Sequence, residues 1–219
     1  MATDTKAQRN QGFPAREEVL QLIEAARAGE TEQLGQLLQY YFNYLTVLAS
    51  TQLDNRLKKR VSPSDLVQET MLAAHRDFNA FRGESPQELV GWLRQILINV
   101  LHGAIARHVK AGKRDIRREI SIDQVEVNVD RSAANLAAIL SAKIDSPSSP
   151  VHAEERASAL ADHLSKLRPD YREVIVLRNL KGLSFDEIAE QMDRSSGAVR
   201  MLWLRAMDRF KATYASPEG

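Results

Sequence analysis

Six basic side chains fall within twelve residues: Arg107, Lys110, Lys113, Arg114, Arg117 and Arg118, opposed only by Asp115. Cations at that density attract phosphates and release counterions on binding, so the cluster is a footprint for a nucleic-acid backbone. A charged helix end running into a flexible linker has the same pattern. A second set lies in SFDEIAEQMDRSSGAVRMLWLRA at 184–206. There Gly197, Arg200, Met201, Leu204 and Arg205 share the outward side of a helical spacing. Small and basic groups on an otherwise packed helix suit the DNA major groove. A helical hairpin with a solvated charged face is the plainer reading. The third set is acidic: Asp65, Gln68, Glu69, Leu72 and Arg76 share the outer face of the helix predicted over 64–81. Carboxylates around an exposed leucine can dock a basic partner helix, although an ordinary solvated face looks alike.

The elements that must hold these sets are all helical by spacing, with no hairpin signal. Ser184 and Glu187 have the spacing of a capping box, followed by an apolar face of Ile188, Ala189 and Met192. Asp193 and Arg194 form the turn, and Ser195 caps a second helix. Its inner face is Val199, Leu202, Trp203, Ala206 and Phe210, which completes a helix-turn-helix. Upstream, Ser62-Pro63 and Ser85-Pro86 each open a helix, Glu88 completing a second capping box. In the 64–81 helix, Val67, Met71, Ala74, Phe78 and Phe81 face the core. In the helix from Pro86 to His108, Leu89, Leu93, Ile96, Leu97, Val100, Ala104 and Ile105 form the buried stripe. Arg94, Gln95, Ile98, Asn99 and His102 are placed outward, with Trp92 as core packing or a stacking face. Arg16–Ala28 is expected as a short amphipathic helix and Thr31–Leu53 as one continuous helix.

Length and charge bound the rest. The 219 residues carry 27% charged and 43% hydrophobic side chains, a globular balance, with net charge +1. Nucleic-acid affinity must therefore come from local clusters. The absence of cysteine excludes disulfides and thiolate metal sites. No apolar run approaches the ~20 residues needed to span a membrane, and the N-terminus lacks a signal-peptide core, which points to a cytoplasmic protein. Residues 1–14 read as a disordered leader, 15–109 as one helical domain and 154–215 as a second. Between them, 110–153 reads as a long linker, with a short helix over Ala133–Ile144. The expected fold is all-α, two small helical domains joined by that linker. The five histidines lack metal-ligand spacing, and no phosphate loop or nucleophile elbow occurs. No metal, no cofactor and no enzymatic activity are expected.

These pieces occur in this order in one family. The chain resembles bacterial RNA polymerase sigma factors of the extracytoplasmic-function (ECF) class over 15–109 and 154–214. The most specific element is DLVQETMLAAHRDFNAFRGE at 65–84. It is similar to the region that binds the clamp helices of the polymerase's largest subunit. The resemblance implies that Asp65, Gln68, Glu69, Leu72 and Arg76 contact core RNA polymerase. WLRQILINVLHGAIARH at 92–108 is similar to the segment that melts and reads the promoter −10 element. This implies DNA contacts by Trp92, Gln95, Asn99, His102, Arg107 and Lys110, with one base flipped out of the stack. Ile98 stands where Arg is usual and Gly103 where Asp is usual. Residues 167–210 are similar to the region that reads the −35 element, which implies DNA contacts by Ser195, Ser196, Gly197, Arg200, Met201 and Arg205. Partners implied are core polymerase, promoter DNA and an anti-sigma factor. Two rivals remain open at this point. One is a stand-alone helix-turn-helix regulator, and the other a sigma-like protein that titrates polymerase or an anti-sigma factor.

Overall fold

The computed structural model describes residues 14, 16–53, 60–111, 122–139 and 153–215, and among them every regular element is helical. Residues 1–13 of the leader and most of the basic run, from Lys113 onward, lie outside the described residues. Helices α1 (Arg16–Arg27) and α2 (Thr31–Tyr40) pack against each other, and α3 (Phe42–Gln52) follows at once. The continuous helix expected over Thr31–Leu53 is thus broken at Tyr41. The chain turns there so that α2 packs on α1 while α3 turns to α4 and the later helices. Tyr41 itself is buried at the break.

Helix α4 (Pro63–Asp77) starts as its sequence requires. Pro63 occupies the first turn and the Ser62 hydroxyl accepts the Asp65 N–H at 3.1 Å. A short 3₁₀ turn, Phe78–Ala80, leads to a tight loop around Gly83. A side chain at Gly83 would lie 2.6 Å from both the Phe81 ring and Glu88 Cβ, so only glycine fits this approach. Helix α5 (Pro86–Ala111) opens on the expected box, with Glu88 Oε2 accepting the Ser85 N–H at 3.1 Å. Its segment Pro86–Arg107 is long and apolar enough to cross a membrane, but Leu89, Leu93, Leu97 and Leu101 are buried against neighbouring helices.

Helix α6 (Ile122–Ala138) lies in the stretch read as linker. It begins well before the Ala133 start expected there and runs to Ala138; residues 140–144 of that expected helix lie outside the described residues. Its stripe of Val125, Val129, Ala133 and Leu136 is buried. The spacings of four, four and three residues keep the four on one face. Helices α7 (Ala153–Ser165) and α8 (Pro169–Ile175) follow, then a π turn, Val176–Leu180, where the Lys181 N–H reaches Val176 O at 3.0 Å. Helices α9 (Phe185–Met192) and α10 (Ser196–Ala215) come last.

Helix α3 is buried on nearly all sides, through Tyr44, Leu45, Val47, Leu48, Ala49 and Thr51. It packs on α4 and α5 from its own half, and on α6, α7 and the π turn from the other. Polar contacts cross this seam as well. Asn43 Nδ2 donates to Asp162 Oδ1 at 2.8 Å, and Lys181 Nζ donates to Leu53 O at 3.4 Å. Burial pushes the Asp162 carboxyl above its ordinary value of 3.8, against the Asn43 hydrogen bond and the positive fields of His163 and Lys166.

A raised carboxyl pKa means the fold prefers protonated Asp162. The cost of the ionised form is absent below 3.8, grows as pH rises through the raised folded value, and is constant above it. Asp162→Asn keeps an acceptor for Asn43 without the charge. It should raise stability to urea at about pH 7 and leave it nearly unchanged at about pH 3. Equal effects at both pH values would show that the charge is not what costs.

Candidate functional site

Three exposed faces emerge from this framework. On α4, Asp65, Gln68, Glu69, Leu72 and Arg76 are all exposed, while Leu66, Val67, Thr70 and Ala74 are buried on the other side. Leu72 is 72% exposed, the largest value for a large apolar side chain among the described residues. On the same face Glu69 lies one turn before Leu72 and Arg76 one turn after it. Arg76 is turned away from the acidic residues of its own face and grips Asp77 through Nε and Nη2, both at 2.8 Å.

On α5 the outward face is narrower than its spacing suggested. Gln95 and Asn99 are exposed, one turn apart, with Gln95 Nε2 donating to Asn99 Oδ1 at 3.4 Å, and half-buried His102 follows. Arg94 and Ile98 were also placed outward; the structure turns both inward. Ile98 is 3% exposed, and Arg94 is partly buried, reaching Asp130 of α6 at 3.6 Å and the Tyr44 hydroxyl of α3 at 3.3 Å. The reason is that α3 and α6 pack along that side of α5. Periodicity over a single helix could not show this, because α6 belongs to a stretch that reads as linker. Ile96 and Val100, placed in the buried stripe, are only half-buried, while Leu101 is buried in full.

Trp92 is half-buried and packs against Phe81 at 5.2 Å and, edge-on, against Phe78 at 6.1 Å between ring centroids. The Arg27 guanidinium lies over the Phe81 ring and also donates to Gly83 O. Arg107 is exposed and forms an ion pair with Glu69 at 3.0 Å, so a member of the basic set touches a member of the acidic one. An exposed pair of this kind contributes at most about 1 kcal/mol, and either partner can be drawn away by a stronger ligand. The backbone of Lys110 belongs to α5, and its side chain lies outside the described residues.

The helix-turn-helix forms as its caps dictate. The Ser184 hydroxyl accepts the Glu187 N–H at 3.2 Å, and Glu187 Oε2 accepts the Ser184 N–H at 2.8 Å. The Ser184 hydroxyl also donates to Glu187 Oε2 at 2.7 Å, and this bond, with that from the Ser184 N–H, holds the Glu187 carboxyl below its ordinary range. Asp193 ends α9 in the left-handed region at φ 50°, a conformation that Asp tolerates better than most residues, and its N–H returns to Ala189 O. Ser195 then caps α10, accepting the Ala198 N–H at 3.3 Å. Ser195, Gly197, Arg200, Met201, Leu204 and Arg205 are exposed and Ser196 is half-buried, all as one surface. Val199, Leu202, Ala206 and Phe210 are buried beneath it.

Sequence spacing did not single out Phe185 and Arg178. The Phe185 ring lies under two guanidiniums, those of Arg178 at 4.6 Å and Arg200 at 5.2 Å, and meets Trp203 edge-on at 5.8 Å. A cation held over an aromatic face is oriented before any ligand arrives. Phe185 stands at the first position of α9, where the visible signal was a capping box and nothing aromatic.

The fold and these surfaces define an all-helical protein with a helix-turn-helix and a separate exposed face on α4. The model of the ECF sigma factor family matches residues 16–215. The chain belongs to the ECF sigma factor family, and the role common to that family is that of an RNA polymerase sigma factor in transcription initiation. It is similar to the ECF RNA polymerase sigma-E factor of Haemophilus influenzae, with 29% identity over 85% of this chain and 90% of that one. The sigma-E factor of Escherichia coli K12 is 29% identical over 85% and 89% of the two chains. The ECF RNA polymerase sigma factor BldN of Streptomyces coelicolor is 28% identical over 86% and 63%. A solved structure of an RsbN–BldN complex covers 87% of this chain at 20% identity, with a TM-score of 0.29.

Ser184→Ala removes the α9 cap and should cost about 1 kcal/mol of stability in urea titrations. It leaves every outward side chain of α10 in place. A loss near zero would mean that solvent replaces the cap at no cost.

Proposed function

We propose that this protein docks core RNA polymerase through the α4 face and places two DNA-reading surfaces on one promoter. The observation that carries the reading is the acidic, leucine-centred face of α4, exposed beside a separate helix-turn-helix. The clamp helices of the polymerase's largest subunit are the proposed partner for Asp65, Gln68, Glu69, Leu72 and Arg76. Gln95, Asn99 and His102 on α5, flanked by Trp92, Arg107 and Lys110, read the −10 element. Ser195, Ser196, Gly197, Arg200, Met201 and Arg205 read the −35 element in the major groove. The exposed Met201 suits a thymine methyl, and Arg200 a guanine edge. An anti-sigma factor is a further proposed partner, and the cytoplasm, where polymerase works, the proposed location. The domain division at 15–109 and 154–215 is retained as part of this reading, with 110–153 between the two readers.

Affinity of the protein alone for duplex DNA is weak on this reading, because the net charge is +1 and one groove-reading helix is present. This separates it from a stand-alone regulator, which binds its operator without polymerase. In vitro transcription with core polymerase on fragmented genomic DNA tests the reading directly. New transcripts sharing upstream −35 and −10 motifs are expected. Core binding without new transcripts would favour a titrating protein, and no core binding a stand-alone regulator.

Asp65→Arg reverses an exposed charge on the docking face. It should abolish this transcription while the circular dichroism spectrum and melting stay unchanged, and retained transcription would remove Asp65 from the interface. Arg200→Ala should weaken promoter use by about 1–3 kcal/mol, selectively for promoters with the matching −35 base. Uniform weakening over all −35 sequences would instead identify a phosphate contact.

A further inference from the structure

Arg200 is anchored by its face and free at its edge. Its guanidinium lies 5.2 Å from the centroid of the Phe185 ring. Among the described residues it makes no hydrogen bond and no ion pair. Stacking uses the flat face of a guanidinium and leaves the in-plane N–H donors unspent, and those are the donors that a bidentate acceptor needs. Arg205 is exposed on the same surface of α10, but it has no ring contact among the described residues.

The ring beneath Arg200 is itself fixed from several directions. Phe185 is the first residue of α9, so the Ser184–Glu187 capping box sets its backbone. The Trp203 ring meets it edge-on at 5.8 Å, and Trp203 Nε1 donates to Asn179 Oδ1 at 2.9 Å. Arg178 stacks on the Phe185 ring at 4.6 Å and donates through Nη1 to Leu183 O at 2.8 Å. The Lys181 and Leu183 N–H groups return to Val176 O and Leu177 O of the π turn. These bonds close the loop that leads into α9, with Gly182 at φ 74° in the left-handed region that favours glycine. The two arginines therefore differ. Arg178 spends a donor on the fold and clamps the ring, whereas Arg200 spends none. Phe185 stays half-buried beside an open hollow lined by Arg178, Asn179, Gly182 and Trp203.

We propose that Phe185 is a positioning residue for DNA recognition. Clamped by Arg178 and Trp203, it holds the Arg200 guanidinium over its ring and presents the free N–H edge to the −35 element. The inference rests on the reading that Arg200 contacts that element, and it adds the residue that sets the geometry of the contact. An unrestrained arginine samples many rotamers, and fixing it on binding costs affinity. A ring beneath it completes part of that ordering before DNA arrives. The attraction comes from the quadrupole of the ring face and not from the bulk of the side chain. An exposed contact of this kind is worth about 2- to 5-fold in affinity. Arg205 does not depend on it.

A double-mutant cycle on the full chain in complex with core polymerase tests this, with a promoter fragment recovered from the transcription assay as the titrant. Phe185→Leu keeps an apolar side chain at the start of α9 and removes the ring. It should weaken the promoter complex about 2- to 5-fold when Arg200 is present, and leave it unchanged in an Arg200→Ala background. In an Arg205→Ala background the full loss should remain. Phe185→Tyr, which keeps the ring, should match the wild type. Phe185→pentafluorophenylalanine keeps the ring and reverses its quadrupole, so it should behave as Phe185→Leu even where the leucine variant folds poorly. In the free full-length protein, the Arg200 methylene protons should carry an upfield ring-current shift in the NMR spectrum, and Phe185→Leu should remove it.

An equal loss from Phe185→Leu with and without Arg200 would show that the ring acts through the fold alone and would overturn the proposal. So would a fluorinated chain that binds as the wild type does, or Arg200 protons whose shifts ignore Phe185. Promoter binding that is indifferent to Arg200→Ala, with the ring-current shift present, would instead overturn the −35 reading of Arg200. The positioning role would fall with it, and the stack would stand as packing only.

Discussion

The packing of α3 is the constraint on which the rest depends. A helix that is apolar nearly all round needs cover on every side, and each buried leucine or valine contributes roughly 1.5–3 kcal/mol only when that cover is complete. The first half of the chain supplies α4 and α5. The remaining sides are closed by α6, α7 and the π turn, which come from far along the sequence; Lys181 and Leu53, which meet here, are 128 residues apart. A long loop between them costs little more to close than a short one, so the sequence separation is no obstacle.

The orientation of the surfaces follows from that seam. Because α3 and α6 take the Arg94–Ile98 side of α5, the side left to solvent is the row Gln95, Asn99 and His102. Because α4 spends Leu66, Val67, Thr70 and Ala74 on the core, its acidic residues and Leu72 face out together. The helix-turn-helix is more self-contained. Its two caps and the left-handed Asp193 set the angle between α9 and α10 from local bonds alone. Phe185 then adds an aromatic floor that orients Arg200.

Electrostatically the molecule is near neutral overall, and its charges are sorted by surface. The acidic face of α4 and the basic end of α5 meet at the Glu69–Arg107 pair. With a net charge of +1, any attraction for phosphates comes from local clusters and not from bulk charge.

The sequence by itself determined what depends on neighbours within a turn or two. Ser62, Ser85, Ser184 and Ser195 announced four helix starts through short side-chain bonds to backbone N–H groups, and all four formed. The outward faces of α4 and α10 were legible because each helix packs on one side only, so a 3.6-residue period reports burial. Family membership was legible too, in the order of the motifs. Tertiary structure alone decided the break at Tyr41, the inward turn of Arg94 and Ile98, and the position of α6. Each depends on which distant helix lies alongside, and a helix with neighbours on several sides carries no periodic signature of any one of them. The pairing of Glu69 with Arg107 and the stacking of Arg178 and Arg200 on Phe185 belong to the same class. They are distances across the fold, and no spacing along the chain encodes them.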